Sequence, residues 1–171
     1  VLAVLHRLRK KLSQKVVVTD VTGSMYPYME QVLIWHALNK MEGNTNKYVF
    51  FNDGDMKSSA AKIVGKTGGI YACEGQIDDL ATVIKTMRKG VASGGGGDCP
   101  ENDVEALIEA QRKRSKYDEM VLVADNFSPM RDYSMMSKLK VPVRVILCGL
   151  GSNDFWTEAN EEYLDLAYQT G

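Results

Sequence analysis

The sequence predicts an α/β fold, a mostly parallel central sheet with helices on both faces, and three observations carry that prediction. Apolar runs of strand length recur along the chain, they alternate with segments of helical periodicity, and the run Met120-Val121-Leu122-Val123-Ala124 is apolar at every position. A strand with one wet face alternates apolar and polar residues, so an unbroken run belongs to a strand covered on both sides, as parallel sheets require. Parallel neighbours need a long crossover, usually a helix, which explains the alternation. The expected architecture is therefore doubly wound and Rossmann-like. With 171 residues, 44% of them hydrophobic, the chain can bury one substantial core, and no internal boundary divides residues 15–171.

Each element has its own signal. Residues 1–14 place Leu2, Leu5, Leu8 and Leu12 among His6, Arg7, Arg9, Lys10 and Lys11, a basic amphipathic helix read as a lead-in or linker rather than a membrane-surface device. Val16-Val17-Val18-Thr19 forms a strand that runs into Asp20, and a helix is expected over about Tyr28 to Lys40. Tyr48-Val49-Phe50-Phe51 reads as a strand and Gly69-Ile70-Tyr71-Ala72 as a short additional one. Ile77, Leu80, Ala81, Ile84 and Met87 recur at helical spacing, as do Val104, Leu107 and Ile108. After the strand at 120–124 come a helix over Asp132 to Leu139, a strand at Val143–Cys148 and a helix over Asn160 to Tyr168.

Composition excludes several function classes. A formal net charge of −1 gives no global basic field for nucleic acid, and no apolar stretch approaches the ~20 residues of a membrane span. Cys73, Cys99 and Cys148 are odd in number and far apart, which suits reduced thiols in a cytosolic protein better than a disulfide framework and leaves export open. His6 and His36 are the only histidines and lie far apart, giving little support to a zinc site or a His-based triad. Gly65-Lys66-Thr67 has Ala60 where a phosphate-binding loop needs its first glycine. Asn52-Asp53-Gly54-Asp55 has Lys57 where an EF-hand needs a ligand, so a solvated turn is expected there.

The segment Asp20-Val21-Thr22-Gly23-Ser24 is different in kind. An apolar strand ends in an acid followed by two hydroxyls at alternate positions, all hard oxygen ligands for a hard divalent cation. The carboxyl end of a parallel strand is also where open α/β sheets bind ligands. The spacing fits D-x-[ST]-x-S, and the chain here resembles the von Willebrand factor A domain, whose metal-ion-dependent adhesion site begins with that motif. The resemblance covers nearly the whole chain in element order and implies that fold over residues 15–171. Domains of the family usually continue into a final strand beyond the position where Gly171 stands, so the sequence reads as trimmed at both ends.

The same resemblance implies two further acidic loops. The second would be Ser93-Gly94-Gly95-Gly96-Gly97-Asp98-Cys99-Pro100-Glu101. The family commonly supplies a threonine there, whereas no threonine occurs here between Thr86 and Thr157; a glycine-rich variant ending in aspartate, proline and glutamate is similar to bacterial members, and transfers the ligand role to Asp98, with Ser93 as fallback. The third follows the strand at 120–124 and places Asp125 at or behind the metal. The competing reading of these residues is helix capping: Ser24 precedes Pro27, Asp98 precedes Pro100, and Asn126 and Ser128 precede Pro129, while Glu101 sits at a capping-box spacing from Asp98. Capping and ligation are compatible.

The expected function is a binding module, not an enzyme: Mg²⁺, or Mn²⁺ or Ca²⁺, held by Asp20, Thr22, Ser24, Asp98 and Asp125, engaging a protein partner, with a monomer as the expected state. Tyr26, Tyr28, Phe127 and Met130 flank the loops and could form an apolar rim for that partner. One alternative is a haloacid-dehalogenase-like phosphotransferase, which also puts an aspartate after its first strand. Such enzymes want a second acid two residues later, where this chain has Thr22. Another is a structural domain with a vestigial site.

Overall fold

Among the described residues, five strands form one sheet in the order β3-β2-β1-β4-β5, where β1 is Val16–Asp20, β2 Lys47–Phe51, β3 Ile70–Ala72, β4 Met120–Asp125 and β5 Val143–Cys148. The computed structural model describes residues 15–41, 46–73, 79–94, 97–113, 119–150 and 157–171. β1 is parallel to β2 and β4, β4 is parallel to β5, and β3 is antiparallel to β2. The chain is thus α/β and doubly wound in the Rossmann manner. Winding proceeds outward from β1 in both directions, so the switch point lies between β1 and β4.

Among the described residues, four α-helices cover the sheet: α1 (Met29–Met41), α2 (Leu80–Ala92), α3 (Asp103–Lys113) and α4 (Glu161–Thr170). Side chains alternate across a strand, and the two cores follow that alternation. Val16, Val18, Val49, Met120 and Leu122 pack with Val104, Leu107 and Ala110 of α3 and Tyr163 and Leu166 of α4. Val17, Phe50, Val121 and Val123 pack on the opposite face with Val32 and Trp35 of α1 and Val83 and Met87 of α2. Every residue of β1 and β4 is buried, which is why their sequences carry no polar alternation. Truncating one of these side chains, Leu122→Ala for instance, would cost about 2–5 kcal/mol.

The expected strands are all present, while several helix starts differ from the sequence reading. α3 opens at Asp103, not at Pro100, and the N–H groups of Val104 and Glu105 donate to the Asp132 carboxylate at 3.1 and 2.5 Å. Asp132, far along the chain, therefore does the capping expected of Asp98. Because its side chain is spent on α3, it does not cap its own segment, and the expected helix over 132–139 is a 3₁₀-helix at Tyr133–Lys138 with no side-chain cap. Ser24 lies in a 3₁₀ turn at Gly23–Met25, and α1 begins later, at Met29. α2 and α4 are capped by Asp79 and Asn160. The basic lead-in over 1–14, and Ile77, lie outside the described residues. No described helix is long and apolar enough to cross a membrane. Cys73, Cys99 and Cys148 are free thiols.

Candidate metal centre

Asp20 closes β1 and Asp125 closes β4, so the two acids sit side by side at the carboxyl ends of adjacent parallel strands, at the switch point. Asp20 falls on the same side of the sheet as Val16 and Val18, toward α3. The chain entering α3 completes the group. Glu101 N–H donates to Pro129 O at 2.9 Å and Arg131 N–H donates to Glu101 O at 2.7 Å, a short parallel bridge to Met130 that ties the second loop to the third. A ligating oxygen from each of Asp20, Glu101 and Asp125 lies within 4.8 Å of the other two, and all three residues are buried.

Asp20 and Glu101 are each held through one oxygen and Asp125 through both. Thr22 N–H donates to Asp20 Oδ1 at 2.7 Å, Phe127 N–H to Asp125 Oδ1 at 2.7 Å, and Ser128 Oγ to Glu101 Oε1 at 3.2 Å. Ser24 Oγ donates to Asp125 Oδ2 at 2.5 Å and lies 3.0 Å from Thr22 Oγ1, so both hydroxyls of the motif adjoin the acids. Asp20 Oδ2 and Glu101 Oε2 are buried with no hydrogen-bond partner. Among the described residues, no lysine or arginine pairs with any of the three.

Such a group is electrostatically unfinished. Burial, reinforced by the charge of Asp125 and opposed by the Thr22 N–H bond, raises the Asp20 pKa. Glu101 is pushed well above its ordinary range by burial and then by the charges of Asp20, Asp103 and Asp125. Asp103 is raised as well, by burial and by Asp132 and Asp20, although Tyr163 Oη donates to it at 3.2 Å. At neutral pH these carboxyls must hold protons or be offset by a cation. Two orphaned buried oxygens converging with hydroxyls, and no nitrogen or sulfur ligand, match the donor set of Mg²⁺, Mn²⁺ or Ca²⁺.

Asp20, Thr22, Ser24 and Asp125 come together as expected; Asp98 does not join them. Lys62 Nζ bonds Asp98 Oδ1, and Arg131 donates to Asp98 Oδ2 at 3.0 Å. Burial pushes the Asp98 carboxyl up, but bonds from Lys62, Ser59 and Arg131 outweigh it and hold the group below its ordinary range. Ser93 is no substitute: it ends α2 and its hydroxyl donates to Lys89 O at 2.9 Å. The third acid is Glu101, which the sequence presented as the capping-box partner of Asp98. A signal did exist, since Glu101 is the other acid of the same loop.

The same contacts correct the reading of Asp53. Instead of lying in a solvated turn, it is fully buried, bonded by Lys62 Nζ at 2.5 Å and Arg131 at 2.9 Å, with a left-handed φ of 59°. The glycine run has a local purpose: Gly94 has φ 113°, and a Cβ there would meet Met56 Cγ at 2.0 Å. Of the expected rim, Tyr26 is 64% and Phe127 55% exposed, while Met130 is buried. Compared with known proteins, the chain matches no family model and no curated sequence.

Proposed function

We propose that the chain is a divalent-cation-dependent protein-binding module of the von Willebrand factor A type, with Asp20, Glu101 and Asp125 as its acidic ligands and Ser24 and Thr22 as neighbouring hydroxyls. The observation that carries the reading is the convergence of three buried carboxylates, unmatched by any described cation, at the switch point of a doubly wound sheet. Strand order and the spaced hydroxyls after β1 agree with it. The expected ion is Mg²⁺, which takes oxygen ligands in octahedral geometry and keeps waters, with Mn²⁺ or Ca²⁺ as alternatives. Tyr26 and Phe127, exposed beside Ser24 and Asp125, give a partner apolar surface next to the ion. A phosphotransferase of the haloacid-dehalogenase kind would need a general acid where Thr22 stands.

Three carboxylates around a divalent ion leave a formal local charge of about −1. The open position then favours water or a partner's neutral oxygen over a carboxylate. The test is calorimetric titration of Mg²⁺, Mn²⁺ and Ca²⁺ into chelator-treated protein, repeated on Asp20→Ala. Saturable binding lost in the variant supports the module. No binding to either protein would make the cluster a vestigial structural feature.

A further inference from the structure

The free edge of the sheet carries a second surface, separated from the acid cluster by β2. A groove of about 830 Å³ runs along β3 between α2 and α3, which cover opposite faces of the sheet. Gly69 O accepts from Asn52 N–H and Cys73 N–H donates to Tyr48 O, both at 2.9 Å, so residues 69, 71 and 73 face β2. By alternation, Ile70 and Ala72 turn their N–H and C=O groups outward into the groove. Among the described strands none pairs with that edge.

The walls are charged unequally. α2 contains Lys85, Arg88 and Lys89 and no acid, and its Lys85 and Lys89 line the groove. Lys89 Nζ also sits 5.3 Å from the centre of the Tyr71 ring. On the opposite wall Glu109 of α3 is matched by Lys113 at 3.8 Å and Arg112 at 3.5 Å. An edge of this sort offers main-chain hydrogen bonds to an incoming strand and selects it by the side chains on alternate positions. A second copy docked through the same edge would set lysines against lysines, which blunts self-association.

We propose that this groove takes an extended acidic segment of a partner protein, added as a sixth strand against β3, with alternate Asp or Glu side chains directed at Lys85 and Lys89. It does not depend on the cation site. The probe is a fluorescein-labelled peptide of alternating glutamate and valine, titrated into the protein with chelator present, beside the same peptide with lysine in place of glutamate. The glutamate peptide should bind and slow amide exchange at Ile70 and Ala72, and the lysine peptide should not bind. Lys85→Glu with Lys89→Glu should weaken binding about tenfold or more. Ala72→Pro removes an outward N–H without touching the β2 ladder, and should abolish binding while circular dichroism stays unchanged. Asp20→Ala should leave peptide binding intact. Absence of binding, equal binding of both peptides, or full binding by Ala72→Pro would each overturn the proposal.

Discussion

Two clusters of acids lie at the same end of this molecule and are treated in opposite ways. Around Asp53 and Asp98, Lys62 and Arg131 supply one positive charge for each negative one, and the Lys62 side chain is wholly buried. Around Asp20, Glu101 and Asp125 no described base answers the charge, and two carboxylate oxygens lack any hydrogen bond. The first cluster is electrostatically complete within the chain and joins the loop after β2 to the second and third loops. The second is complete only with something added. Acid content therefore does not distinguish a binding site from a brace; the difference lies in whether the chain itself supplies the counter-charge.

The largest effect should come from breaking the complete cluster. Lys62→Met leaves Asp53 buried with only Arg131 beside it, and should cost about 3–5 kcal/mol in urea unfolding. A loss below about 1 kcal/mol would mean that the two clusters do not differ in the way described.

His36 sharpens the comparison, because a buried group can also escape its charge by staying neutral. Packed against Trp35, Tyr48 and Phe50 with neither ring nitrogen bonded, it has its pKa lowered by burial to about 3. The folded state resists protonation, so this contribution is complete above the unfolded value of 6.5 and is lost as the pH falls from there toward about 3. Between pH 7 and pH 5 the stability advantage of the wild type over His36→Leu should shrink by about 2 kcal/mol. Denaturant titrations of both proteins at the two pH values would read it, and a pH-independent difference would contradict a neutral buried ring.

Relieving the incomplete cluster should have the opposite sign from Lys62→Met. In chelator, Asp20→Asn should gain about 1–2 kcal/mol of stability, since it removes one of three mutually repelling buried acids. Added Mg²⁺ should raise the melting temperature of the wild type and not of this variant. A large loss of stability in chelator would place Asp20 among the braces instead.

The smallest effects separate the two acids of the second loop. Asp98→Asn should cost about 1 kcal/mol, because its pairs are partly exposed, and should leave cation affinity within about twofold. Glu101→Gln should change stability little and lower cation affinity about tenfold or more. The reverse ranking would restore the ligand role to Asp98.

The sequence revealed most of the fold and two of the three acids of the cluster for one reason. A strand buried on both faces must be continuously apolar, so β1 and β4 announce themselves, and an acid at the end of such a strand, Asp20 or Asp125, stands out against it. Nothing comparable marks a loop. Asp98 and Glu101 stand three apart before a helical pattern, and local spacing favours Asp98 as the cap and Glu101 as its accessory. Partners far away in sequence reversed those roles: Lys62 and Arg131 draw Asp98 aside, the bridge to Met130 turns Glu101 inward, and Asp132 caps α3. The burial of Asp53 is hidden from local spacing for the same reason, since its counter-ions lie nine and seventy-eight residues away.

The most direct measurement is an anomalous-scattering map from a crystal of this protein grown with Mn²⁺. The account predicts one strong peak between the carboxylates of Asp20, Glu101 and Asp125, absent from a Glu101→Gln crystal grown the same way. An empty cluster in the wild type, or a peak beside Asp98 instead, would contradict it.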